Sequence, residues 1–267
     1  MAGKVIGVMN EKGGVGKTTV STQLAFELAD RGNKVCFVDN DPQNNGTSAF
    51  FGDEAPDAIS SADPSVSVAL TERLYQREGF SPVQVLDDNE NLWLLGASDG
   101  LALLESEDDE EELLESFCDS IELLTEAFDY IIIDNGPSFN RKFTSAILAS
   151  TSGGVLLPMA PDYDPLRGVK RVAARIDTLK EDHDIEVPVL GILINLWKTN
   201  PVTQVARCVK EEAEEHFGDL MLSTVLHEAE DLRKAKALQE RVGHLVPRSK
   251  ATKQMASLVD ELVARIK

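Results

Sequence analysis

Residues 11–19 read EKGGVGKTT, and this stretch decides the fold. It follows an apolar, β-branched run, VIGVMN at 5–10, and leads into a helical pattern expected from near Thr18 to Arg31, with Gly32 as terminator. A glycine-rich turn between a strand and a helix is the setting in which successive backbone N–H groups, aided by the helix N-terminus, converge on phosphates. Gly13, Gly14 and Gly16 allow the tight wrap around Val15. Lys17 supplies positive charge to the β- and γ-phosphates, Thr18 offers a hydroxyl for Mg²⁺, and Thr19 completes the motif. The ordinary pattern, GxxxxGK[ST], asks for glycine at position 11. Glu11 stands there instead, and Lys12 adds a second lysine whose purpose the pattern leaves open.

Outward from the loop, short apolar runs alternate with helical patterns: VCFVD (35–39), LWLLGA (92–97), YIIID (130–134), GVLLP (154–158) and VLGILIN (189–195). Such alternation predicts an α/β fold, a mostly parallel twisted sheet with helices on both faces, as a P-loop NTPase has. Later helices are expected near 66–77, 110–127, 139–150, 166–181, 201–216 and 249–266, within a single ATPase domain spanning 1–267. Residues 53–66, DEAPDAISSADPSV, carry the turn residues of a surface loop. The run ESEDDEEELLE at 105–115 holds eight acidic side chains and reads as a solvated helix N-terminus, where carboxylates meet the positive end of the dipole.

Two further segments end strands at the edge where such sheets bind ligands. VDNDPQNN (38–45) sets Asp39 and Asp41 two apart, and IIIDNGPS (131–138) ends an apolar strand in Asp134, the placement of a carboxylate that holds Mg²⁺ through water.

Together these segments resemble the deviant Walker ATPases, the ParA/MinD family, whose loop reads KGGxGK[ST]T and whose second motif reads DxDPQ. The resemblance implies an ATPase using ATP and Mg²⁺, slow and partner-stimulated, that closes into a homodimer with nucleotide in the seam. By the same resemblance Lys12 reaches the phosphates bound by the partner subunit, Asp41 positions or activates the attacking water, and Asp39 supports Asp41 or the Mg²⁺ shell. The family more often reads DTPP or DxPP after Asp134, so Asn135 and Gly136 are departures. The resemblance continues more weakly through residues 156–172 and 246–262.

Bulk properties choose the branch. The net charge of −20 speaks against nucleic acid, yet residues 232–267 hold nine basic and three acidic side chains. Family members of the ParA type bind DNA nonspecifically as ATP dimers, and the basic residues available here are Arg167, Lys170, Arg171 and Arg175, then Arg233, Lys234, Lys236, Arg241, Arg248, Lys250 and Lys253. The DPQ at 41–43 favours ParA over MinD. The tail stripe Met255, Leu258, Val259, Leu262 and Ile266 lacks the Trp, Phe and basic flank of a membrane anchor, so no membrane partner is expected. Cys36, Cys118 and Cys208 form no CxxC pair, and His183, His216, His227 and His244 show no metal-ligand spacing. No segment reads as a signal peptide or a membrane span. With the phosphate loop so near the start, no helix-turn-helix is expected before it. The reading is a cytoplasmic, nucleoid-associated partition ATPase released from DNA by a ParB-like or other cargo adaptor. The rival is a MinD-like ATPase on membranes, and a weaker third is a metabolic enzyme using the same loop.

Overall fold

The structure, a computed structural model, describes residues 2–52, 55–60, 67–76, 78–86, 88–104 and 109–266. Strands β1 (Lys4–Val8), β2 (Val35–Asn40), β3 (Val83–Leu86), β4 (Asn89–Leu95), β5 (Tyr130–Asn135), β6 (Gly154–Met159), β7 (Val189–Trp197) and β8 (Met221–His227) form one sheet in the order β3-β4-β2-β5-β1-β6-β7-β8. All pairings are parallel except the hairpin of β3 with β4. The expected α/β architecture is what the chain adopts.

The central strands are buried along nearly their whole length, which is why they read as continuous apolar runs rather than alternating ones. Helix α1 (Lys17–Asp30) joins β1 to β2, running toward one edge of the sheet. Helices α6 (Glu110–Ala127), α7 (Arg141–Ala149), α8 (Tyr163–His183) and α9 (Gln204–Phe217) join strands in the opposite direction. Right-handed crossovers therefore put α1 on one face and α6 to α9 on the other. Helix α12 (Lys250–Arg265) packs on α1 and β8, so it shares the α1 face. Arg31 clamps the two helices through Asp260 at 2.6 Å. Phe37, Phe117, Phe143, Leu24 and Leu92 lie fully buried in the core between the sheet and these layers.

Local chemistry explains the helix ends. Asp109, Asn140, Thr203 and Ser249 each accept a backbone N–H of the first turn they precede, satisfying donors that would otherwise be orphaned. The acidic run does open α6, with Glu110, Glu111 and Glu112 in its first turn; its residues 105–108 lie outside the described part.

Several expectations need correction. The helix expected over 66–77 shrinks to α4 (Glu72–Tyr75), because Ala69 and Thr71 instead bond the backbone of Gly96. The expected loop at 53–66 contains a helical turn, α3 (Asp57–Ser60); residues 53, 54 and 61–66 lie outside the described part. Strands β3 and β8 and the helices α2 (Asn45–Phe51), α5 (Gly100–Leu103), α10 (Glu230–Ala237) and α11 (Val242–Leu245) were not anticipated. Strand β8 is an edge strand whose N–H groups at Ser223 and Thr224 are taken by the Glu261 carboxylate of α12, at 2.7 and 2.9 Å. That covering blunts an otherwise sticky edge.

Candidate functional site

The carboxyl ends of β1, β2, β5, β6, β7 and β8 bring the loops of the site to one edge. Between β1 and α1 the chain makes the glycine-rich turn, with Gly14 and Gly16 at φ of 78° and 85°. Gly16 has a second reason to be glycine: a Cβ there would fall 2.4 Å from the Asn195 amide nitrogen. That amide donates to Val15 O at 2.8 Å, tying β7 to the loop. Asn10, fully buried, braces the other side. Its Oδ1 accepts from Lys12 N at 2.9 Å while its Nδ2 donates to Pro158 O at 2.8 Å. Sequence reasoning missed both asparagines, whose partners lie on distant segments.

The two lysines of the loop face different surroundings. Lys17 is buried, and its ammonium donates to Lys12 O at 3.3 Å. Burial pushes its pKa below the ordinary value, against the opposing pull of Asp134 and Asp41. Lys12 is exposed and leaves its own loop, reaching Asp164 at 3.3 Å on the first turn of α8. Its neighbour Glu11 reaches Arg171 of the same helix at 2.5 Å.

Asp134, next to last in β5, lies directly beside Asp39 of β2 in the sheet register. It is fully buried, and neither oxygen accepts a hydrogen bond of good geometry, although the Thr18 and Ser21 hydroxyls stand close enough to help hold its charge. Burial nonetheless raises its pKa to about 6. Two orphaned carboxylate oxygens behind the Thr18 hydroxyl fit a cation that keeps its waters, as Mg²⁺ does when it sits on a phosphate loop. Among the described residues no three His, Cys, Asp or Glu side chains converge as a cage. The fit is therefore to an ion brought with phosphates rather than one held by protein alone.

Asp39 stands beside Asp134 and Asp41 at the strand ends. It is fully buried, with Oδ2 accepting from Thr47 N and Oγ1 at 2.6 and 2.8 Å and Oδ1 accepting from Asp41 N at 3.4 Å. Burial, then the neighbouring Asp134, raises its pKa to about 7. Its oxygens brace α2 and the Asp41 turn, the supporting half of its expected role. Asp41 itself borders a cavity of about 250 Å³ between the loops after β2 and β5. Gly136 adjoins it; a Cβ there would stand 3.1 Å from Asp41 Oδ1, a tight contact.

A second cleft opens on the other side of Gly16, Thr19 and Val20, with apolar walls from Leu196, Leu226, Leu232 and Met255 and a rim that includes His227. Burial and the Lys250 ammonium, 2.9 Å away, hold the His227 imidazole below its ordinary pKa.

The basic residues divide. Arg167, Lys170, Arg171 and Arg175 lie on α8, on one face of the sheet, where Lys170 pairs with Glu212 at 2.8 Å. Arg233, Lys234 and Lys236 on α10, exposed Arg248, and Lys250 and Lys253 at the start of α12 lie toward the other. Arg233 and Lys236 also border the apolar cleft. Arg241 is not a surface cation: it is 4% exposed and bonds Asp30 at 2.7 Å and Asp88 at 2.6 Å. Its expected DNA contact is replaced by a strut between α1, the β3–β4 hairpin and the α10–α11 segment.

A family model described as an AAA domain matches residues 3–189. The chain is 27% identical over 263 residues to the chromosome-partitioning ATPase Soj of Thermus thermophilus, covering 98% of this chain and 96% of that one. It is 29% identical over 266 residues to the sporulation initiation inhibitor protein Soj of Bacillus subtilis, covering 98% and 99%. Among solved structures, an ATP complex of Cyanothece McdA superposes with a TM-score of 0.82 at 20% identity, over 100% of this chain and 98% of that one. The Pyrococcus furiosus cell division ATPase MinD gives 0.71 at 22%, over 98% and 99%. With the KGGVGKTT loop, the Asp39–Asp41 turn and Asp134 assembled at one sheet edge, the chain belongs to the ParA/MinD family of partition and positioning ATPases.

Proposed function

We propose that this chain is a DNA-partition ATPase that binds Mg²⁺-ATP, pairs with a second copy across the nucleotide, holds DNA nonspecifically in that state, and lets go after hydrolysis stimulated by an adaptor on its cargo. The observation that carries the reading is the split between the two lysines: Lys17 is buried within its own loop, whereas Lys12 points out of it to an exposed carboxylate. A cation so placed is available to a phosphate outside its own loop, where it would neutralise charge developing on the γ-phosphoryl group.

In this reading the loop N–H groups and Lys17 bind the phosphates, and Thr18 and Asp134 hold Mg²⁺, which neutralises β- and γ-oxygen charge. The apolar cleft by Leu226 and Met255 seats the nucleoside. Asp41 orients the water whose oxygen bonds the γ-phosphorus as the bridge to ADP breaks. The γ-phosphate joins the protomers, so its loss removes the contacts that favour the dimer. The single sheet running through both halves supports one domain. The exposed cations of α8 and of α10 to α12 supply DNA contacts that position without reading sequence. Plasmid, chromosome and protein compartment are all cargo such a switch can move, acting on the nucleoid in the cytoplasm.

Size-exclusion with light scattering, in ATP and in ADP, with and without plasmid DNA, tests the reading. The expected result is a dimer in ATP alone, DNA retention in ATP alone, and neither in Lys17→Ala. A monomer in ATP, or retention on anionic liposomes instead of DNA, defeats it.

A further inference from the structure

We infer that the cleft between α6, α7 and α8 is a docking site for an acidic segment of a partner protein, one of whose carboxylates enters beside an apolar side chain. Naming that partner as the cargo adaptor rests on the ATPase reading above; the chemistry of the cleft does not.

The cleft holds about 530 Å³, and three of the residues that line it are arginines: Arg141, which opens α7, and Arg171 and Arg175, one turn apart on α8. Two of them already hold carboxylates, Arg141 with Glu110 at 3.7 Å and Arg171 with Glu11 at 2.5 Å. Arg175 does not. It is half-buried, it meets the Thr144 hydroxyl at 3.4 Å, and among the described residues no carboxylate pairs with it. A guanidinium presents a planar fork of donors that a hydroxyl fills only in part and a carboxylate fills two at a time. Phe139 lines the same cleft, 41% exposed and edge-on to Phe143 with ring centroids 4.8 Å apart. Arginine and aromatic side chains with no lysine among them are the composition that protein interfaces concentrate.

Positive charge alone would also suit DNA, and the neighbourhood decides against it. Glu110, on the wall of the cleft, continues into Glu111 and Glu112 in the first turn of α6, behind the capping Asp109. A duplex carries a charge about every 1.7 Å along its axis, so it cannot bring phosphates to Arg175 without laying others against that acidic turn. A peptide can set one carboxylate on the arginine and keep its remaining residues apolar or neutral. Glu11 belongs to the phosphate loop, so a carboxylate that shares Arg171 competes with it, and filling the cleft is felt at the loop through a single ion pair.

Fluorescence anisotropy tests this with a labelled hexapeptide alternating glutamate and leucine, compared with the same peptide carrying glutamine for glutamate. The glutamate peptide is expected to bind at least about tenfold tighter, and Arg175→Gln to remove that advantage with the melting temperature unmoved. Phe139→Ser, at an exposed ring, weakens the glutamate peptide as well. Glu11→Gln releases Arg171 from its internal carboxylate and tightens the peptide by up to about fivefold. No binding by wild type, equal affinity for the two peptides, or an affinity unchanged in folded Arg175→Gln overturns the inference. So does displacement of the peptide by an equal concentration of duplex oligonucleotide, which gives the cleft to nucleic acid. Wild-type chain that binds the peptide yet hydrolyses no ATP sinks the ATPase reading and leaves the cleft standing.

Discussion

Replacing Arg241 by alanine separates a structural arginine from a DNA-binding one. Its guanidinium is 4% exposed and meets two carboxylates, Asp30 at 2.7 Å and Asp88 at 2.6 Å. The two bonds are not equal. Asp88 is 62% exposed and regains water when the arginine goes, so its bond counts for at most about 1 kcal/mol. Asp30 is 28% exposed and loses a charge-assisted bond in a drier setting, about 1.5 kcal/mol, and the stem leaves a gap against its neighbours. The total comes to roughly 2–3 kcal/mol. At about 2.1 cal mol⁻¹ K⁻¹ per residue, 267 residues give an unfolding entropy near 0.56 kcal mol⁻¹ K⁻¹, so the melting temperature falls by about 4–5 °C. Thermal melting by circular dichroism reads this, and plasmid retention in ATP, measured well below the melt, stays at the wild-type level. A melting temperature unchanged within one degree together with lost retention would refute the argument and return Arg241 to the DNA face.

Asp164→Asn frees Lys12 from an exposed pair worth about 0.2–1 kcal/mol; with two copies in a dimer, ATP-dependent dimerisation measured by sedimentation tightens by roughly twofold to thirtyfold. Weaker dimerisation contradicts the trans placement of Lys12. Burial, aided by Asp119 and Glu115, pushes the Cys118 thiol up to about 12, and burial pushes Cys36 higher still, while Cys208 is exposed. At pH 8 only about one part in ten thousand of Cys118 is thiolate, so one thiol per native chain reacts quickly with Ellman's reagent and three react in guanidine; two fast native thiols count against the packing of α6. Reversing Arg248, Lys250 and Lys253 to glutamate puts two of the new carboxylates in the first turn of α12, where the helix dipole tolerates them, so the fold survives while DNA retention and its salt dependence disappear. Retention unaffected by the reversal assigns the contact to α8.

Legibility in the sequence followed how local each cause was. The phosphate loop, Asp41 and Asp134 were readable because their chemistry is written in consecutive residues beside strand ends. Helix α6 ran over the expected 110–127 because its cap, acidic first turn and apolar stripe all lie within it. Asn10, Asn195 and the Asn40–Asn135 pair left no local trace: an amide bracing a segment some 95 to 180 residues away looks like any other asparagine. Strand β8 was missed because an edge strand with Ser223 and Thr224 in its middle lacks an apolar run, and what covers its N–H groups is a glutamate on α12. Arg241 was misread because a charge count cannot see burial.

The loop's two unusual residues, Glu11 and Lys12, both end on α8, through Arg171 and Asp164. These are half-exposed or exposed pairs, so each holds by about 1 kcal/mol or less and weakens with salt. A lysine opposite a triphosphate in a seam closed to water meets a much stronger field, since screening falls with solvent exclusion. In the proposed dimer the clamp would give Lys12 a resting place and be too weak to compete with a nucleotide presented by a second copy. When Lys12 departs, Asp164 keeps Arg167 as a neighbour, 3.8 Å away, so its carboxylate is never left without a cation. In the proposed switch the release of Lys12 would be felt at the first turn of α8, the helix that carries Arg167, Lys170 and Arg171. Such a change needs no long relay to reach those cations, because Arg167 lies one turn from Asp164, the residue that holds Lys12.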